Sequence, residues 1–110
     1  MGKKDSSLQP GGAAMLVLAL LKEREMYGYQ IIEELERRSN QVFQLKEGTL
    51  YPILHALEKG KYLSSYQQEA PTGRVRKYYH VTRRGLELLS EKKAEWEQFS
   101  HGVDQVLSFS

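Results

Sequence analysis

Between Leu50 and Val81 the spacing of apolar residues changes once, from a helical period to a strand period, and that change sets the order of elements the chain must accommodate. Leu50, Ile53, Leu54 and Leu57 fall at i, i+3, i+4 and i+7, which predicts a helix with a single core face. Gly60 ends it. Tyr62 to Gln67 then reads as a strand, Ala70-Pro71-Thr72-Gly73 as a turn, and Arg74 to Thr82 as a returning basic strand. In that strand Val75, Lys77, Tyr79 and Val81 alternate with Arg74, Arg76, Tyr78 and His80, so the hairpin has two unlike faces. A helix followed by a basic hairpin can address a major groove and its flanking phosphates together.

The rest of the chain frames this pair. A chain of 110 residues supports one domain with a modest core. With 40% hydrophobic and 27% charged residues it has an ordinary globular composition, and no apolar run is long enough for a membrane span. Cysteine is absent, which excludes disulfides, thiol chemistry and cysteine-based zinc sites. The N-terminal residues lack the apolar core of a signal peptide, so a cytoplasmic location is expected. The net charge of +2 is uninformative, but from Ala70 to Leu86 there are five basic residues and no acidic one.

Residues 1–12 are polar and suit a mobile arm. Ala13 to Arg24 predicts a helix apolar nearly all round and therefore buried on two sides. After the break at Tyr27-Gly28-Tyr29, Ile31, Ile32 and Leu35 mark a second helix that ends near Ser39-Asn40. Thr49 is the expected N-cap of the third helix, which would put Pro52 at the third helical position, where a missing N–H costs nothing; a looser start near Lys46 is the alternative. Thr82 is placed to cap a last helix of about 25 residues, roughly 37 Å long. Leu89, Trp96 and Val103 recur there every seven residues, with Phe99 and Val106 completing a stripe that predicts a dimer seam. The expected architecture is α+β, mainly α with a β-hairpin wing: residues 1–12 an arm, 13–82 the head and 83–110 a dimerisation helix.

The candidate nucleic-acid contacts are Lys46, Glu47, Thr49, Tyr51 and His55 around the third helix, Tyr27 before the second, and Arg74, Arg76 and Lys77 in the wing. Tyr51 either reaches a phosphate or fills space between helices. Arg83 and Arg84 contact nucleic acid or pair with Glu87 on their own helix. Trp96 is either seam core or a stacking platform for a flat aromatic compound.

Several runs carry a resemblance. Glu47-Gly48-Thr49-Leu50-Tyr51-Pro52-Ile53-Leu54, Leu57-Glu58-Lys59, Gly73-Arg74-Val75-Arg76-Lys77-Tyr78-Tyr79 and Thr82-Arg83-Arg84-Gly85, with Tyr27-Gly28-Tyr29 and Ile31 upstream, look like the PadR family of bacterial transcriptional regulators. The resemblance covers roughly Ala13 to Leu89. It implies a winged helix-turn-helix dimer whose third helix enters the major groove of double-stranded DNA, whose wing grips the backbone and whose C-terminal helix dimerises. It also implies a repressor, in the short-tailed branch, where some members bind flat aromatic effectors between subunits. The chain departs from the family pattern at Gly60-Lys61, where an acidic residue followed by glycine is usual.

Other classes fit less well. His55, His80 and His101 lack metal-ligand spacing, and there is no phosphate loop or nucleophile motif, so no catalysis, metal or cofactor is expected. A dimeric adaptor using the wing on an acidic protein would show no duplex preference. RNA recognition would need aromatics arranged as a stacking platform on an open sheet, which the pattern does not give.

Overall fold

The computed structural model describes residues 12–109. Among them the elements run α1 (Gly12–Glu23), β1 (Met26–Tyr27), α2 (Gly28–Arg38), α3 (Glu47–Lys59), β2 (Leu63–Glu69), β3 (Val75–Val81) and α4 (Arg83–Leu107). The arm expected over residues 1–12 lies outside the described residues except for Gly12, which is helical and buried.

Every element contributes to one core. Val17, Leu18, Leu20 and Leu21 of α1 meet Ile31 and Leu35 of α2 and Leu50, Leu54 and Leu57 of α3. Met26, Leu63, Tyr79 and Val81 close it from the sheet, and Leu89 closes it from α4. No polar or charged side chain is buried among the described residues, so the core owes its stability to apolar area, about 1.5–3 kcal/mol for each fully buried aliphatic side chain. Outside it, Arg38 of α2 reaches Glu34 on its own helix at 2.8 Å and Glu23 of α1 at 2.7 Å, tying the two helix ends together.

The sheet is antiparallel in the order β1-β3-β2. Its hairpin register runs from Leu63 opposite Val81 to Glu69 opposite Val75. The turn is closed by Gly73 N–H donating to the Ala70 carbonyl at 2.8 Å, with Gly73 at φ +89°, a conformation only glycine adopts freely. The third strand, β1, has no counterpart in the sequence reading. Its two residues are too few to show a period, and it exists because Met26 and Tyr27 pair with Tyr79 and Tyr78. That pairing matters, since a lone hairpin is marginal in water and a third strand steadies it.

At the start of α3 the alternative reading holds in place of the preferred one. The N-cap of α3 is Lys46, not Thr49: its extended backbone leaves its carbonyl to accept from Thr49 N–H at 3.0 Å and Leu50 N–H at 2.9 Å. Pro52 therefore lies inside the helix, where it cannot donate to the Gly48 carbonyl. At the other end of α3, Lys61 carries a positive φ of 69° just after Gly60. Thr82 caps α4 as expected, its Oγ1 accepting from Gly85 N–H at 3.0 Å.

A correction also concerns Leu89. It was expected on the dimer stripe, but it is 3% exposed and packs in the chain's own core. Gly85 and Leu89 are the buried residues of α4, so its first two turns belong to the head. Residues 101–109 are exposed throughout, and the molecule measures 57 × 28 × 27 Å.

Candidate nucleic-acid interface

Burial of Leu50, Leu54 and Leu57 turns the opposite face of α3 outward, so that Thr49, Tyr51, Pro52, His55, Ala56 and Lys59 are exposed. Lys46 and Glu47 stand exposed at its N-terminal end, where unpaired N–H groups and the helix dipole favour an anion. All five residues singled out around this helix therefore lie on one accessible surface. Tyr51 packs between helices, its ring ending against Gly28, where a Cβ would lie 2.7 Å from Cζ, and remains half-exposed. The absence of a side chain at Gly28 is what lets α2 begin there, beside Tyr51.

The wing divides its cations. Arg74 is exposed beside the turn. Arg76 and Lys77, adjacent in sequence, point to opposite faces of β3. The Arg76 guanidinium lies 4.5 Å from the centroid of the Tyr27 ring, on the outer sheet face. Lys77 lies on the inner side with Tyr79, and its Nζ is 3.3 Å from Glu58 of α3. Glu58 also accepts from Ser65 Oγ at 2.5 Å, and this hydroxyl, then Lys77, holds the carboxyl below the usual carboxylate range.

Three tyrosines gather on the outer face of the sheet. Tyr66 stacks on Tyr78 with ring centroids 5.6 Å apart, and Tyr78 meets Tyr27 edge-on at 5.4 Å. The unforeseen β1 brings Tyr27 into this row. Glu25 accepts from the Tyr66 hydroxyl and faces His80 Nδ1 at 3.3 Å. The rings are thus engaged with one another and with Arg76, rather than spaced to receive bases.

Arg84 is committed within the chain. Its Nε donates to the Gly60 carbonyl at 2.9 Å and its guanidinium lies 4.8 Å from the Tyr62 ring centroid. The Thr82 hydroxyl donates to the Lys61 carbonyl at 2.7 Å. Together they satisfy carbonyls at the end of α3 and join it to the start of α4. Arg83 remains exposed.

Along α4, Trp96 (41% exposed), Phe99 (48%), Val103 (38%) and Val106 (71%) form an apolar stripe, with the Trp96 and Phe99 rings 5.7 Å apart. Trp96 also borders an open groove of about 580 Å³ between α1 and α4, floored by Met15, Leu16, Ala19 and Leu89. Lys22, Lys93, Glu23 and Glu97 stand around it, two of each sign. The α1 side of this groove, Gly28 under Tyr51, and the Glu58–Ser65–Lys77 group were not found from the sequence, because each depends on a contact between distant segments. Among the described residues no helix is long and apolar enough to cross a membrane, and no group of three or more His, Cys, Asp or Glu could hold a metal.

Residues 17–91 match the model of the Transcriptional regulator PadR-like family. A protein of Lysinibacillus sphaericus, itself named only as uncharacterized, is 36% identical over 99 residues, or 90% of this chain and 91% of its own length. The structure of a transcriptional regulator from Clostridium thermocellum superposes with a TM-score of 0.80 at 31% identity, over 87% of this chain and 93% of that one. A PadR family transcriptional regulator from Eggerthella lenta gives 0.77 at 34% identity, over 89% and 83%.

Proposed function

The chain belongs to the PadR-like family of transcriptional regulators, and on that premise we propose that it is a repressor that binds a pseudo-palindromic DNA operator as a homodimer and is released by a small planar aromatic ligand. It acts in the cytoplasm and catalyses no reaction. The observation that carries the DNA reading is the outward face of α3, with Lys46, Glu47, Thr49, Tyr51 and His55, next to a wing bearing Arg74 and Arg76. Thr49, Tyr51 and His55 reach into the major groove while the two arginines and Lys46 meet phosphates. Tyr27 supports Arg76 from below through the ring contact at 4.5 Å.

The dimer reading rests on the exposed Trp96, Phe99, Val103 and Val106, an apolar stripe on a helix that outruns its own core. Two recognition helices must meet half-sites about one helical turn apart. A ligand in the groove beside Trp96 shifts the crossing of the two α4 helices and with it that spacing, so that it binds the DNA-free state better. Stacking on Trp96 contributes about 1 kcal/mol to such a ligand beyond area burial.

The test is a quantitative binding assay. Selection from a random duplex pool should yield a two-fold symmetric site, and sedimentation should give a dimer at micromolar concentration. A monomer removes the dimer, and binding with no duplex preference favours an adaptor for an acidic protein partner instead. Trp96→Ala should weaken aromatic ligands without abolishing operator binding; equal ligand affinity in both proteins rules out the platform.

A further inference from the structure

Glu58 stands in the last turn of α3 and touches both strands of the wing. One carboxylate oxygen accepts from Ser65 Oγ of β2 at 2.5 Å, and the other lies 3.3 Å from Lys77 Nζ of β3. The ammonium also lies 5.5 Å from the centroid of the Tyr79 ring. Glu58 is half-buried and Lys77 exposed, so the ion pair alone is weak and screened by solvent, and the tie depends on the hydroxyl and the ammonium meeting the same carboxylate.

The wing needs such a tie. Helix and hairpin are connected covalently only through Gly60–Tyr62, while strands of seven residues project about 23 Å from that joint. Without a contact farther along, a small change of angle at the base would move the tip by several ångströms. The core holds the hairpin as far as Tyr79, opposite Ser65, and Glu58 adds a contact at Lys77, two residues nearer the tip. An ammonium already facing a carboxylate must also give up that partner before it meets a phosphate.

We propose that Glu58 is a positioning residue for DNA binding: it fixes the wing against the recognition helix and occupies Lys77, so that the wing meets phosphates through Arg74 and Arg76 alone. The inference rests on the DNA-binding reading and narrows it, because Lys77 was expected among the contacts.

The experiment measures the salt dependence of binding to a fluorescein-labelled duplex that the full chain has selected from a random pool. Each phosphate contact contributes about 0.9 to the slope of log K against log salt. Arg76→Met should flatten the slope by about that amount per protomer, and Lys77→Met should leave it unchanged. Glu58→Gln keeps a partner for Ser65 but frees Lys77, and should steepen the slope by about 0.9 per protomer. The double variant Glu58→Gln/Lys77→Met should return to the wild-type slope. Flattening by Lys77→Met equal to that by Arg76→Met overturns the inference while leaving DNA binding intact, as does a Glu58→Gln slope identical to wild type. A wild-type chain that selects no duplex overturns the DNA reading and the inference with it.

Discussion

A methyl group added at Gly28 or at Gly85 would stand 2.7 Å from a side-chain atom in either case, Tyr51 Cζ or Val81 Cγ2, yet the consequences differ. At Gly28 the obstacle is the far end of a half-exposed ring that can swing into solvent. At Gly85 it is also the Tyr62 carbonyl, part of the backbone that joins α3 to the sheet. Gly85→Ala should therefore cost about 1–3 kcal/mol of stability, the usual range for an overfilled site, and lower the melting temperature accordingly. Gly28→Ala should melt nearly as the parent does but bind DNA as weakly as Tyr51→Ala, with no further loss in the double variant, because both changes displace the same ring. Additive losses would separate the two residues. Glu58 gives a pH signature at the same scale. Its carboxyl is depressed by Ser65, then Lys77, with His55 also nearby. A depressed folded-state pKa stabilises fully above the ordinary carboxylate pKa and is lost as pH falls through the folded value. The stability advantage of wild type over Glu58→Gln should thus be present at neutral pH and be lost in acid, as pH falls below the ordinary carboxylate range and through the depressed folded value. An advantage that persists in acid would mean that shape, not charge, holds the contact.

At the scale of elements, the end of α3 shows how one register choice is compensated locally. The family resemblance leads one to expect an acidic residue and then glycine after Leu-Glu-Lys, but here the glycine comes first. Lys61 accordingly takes the left-handed conformation at φ 69° that a glycine would adopt without strain. Gly60 is needed for a different reason, since a Cβ there would approach the Tyr62 ring at 2.6 Å. Lys61→Gly should stabilise the fold by about 0.5–1 kcal/mol, as strain relief outweighs the added freedom of the unfolded chain. A rise in the urea midpoint without a change in slope would show it. Gly60→Ala should destabilise. The same junction holds Arg84 and Thr82 against the carbonyls of Gly60 and Lys61, so a displacement of α4 carries the end of α3 with it.

For the whole molecule, the decisive fact is where the core stops along α4. Leu89 lies inside the core, whereas Phe99 and Val103 lie beyond it. Leu89→Ala should cost about 2–5 kcal/mol of stability by cavity formation. Phe99→Ala should leave the folded head intact but weaken self-association, as sedimentation over a concentration series would reveal; unchanged association would place the dimer contact elsewhere. The sequence by itself determined the order of elements, the core face of α3, the hairpin with its turn, and the length and cap of α4. These follow from periodicity, glycine placement and capping chemistry, which act within a few residues along the chain. Only the tertiary structure decided the third strand, the choice of cap for α3, the partners of Arg76 and Lys77 and the burial of Leu89. A two-residue strand exists only through its partner, and a heptad spacing cannot tell which of its members the chain's own core will take. Likewise, alternation along β3 assigns Arg76 and Lys77 to different faces, but only the packing of α3 against the sheet puts Glu58 next to one of them and a tyrosine ring under the other.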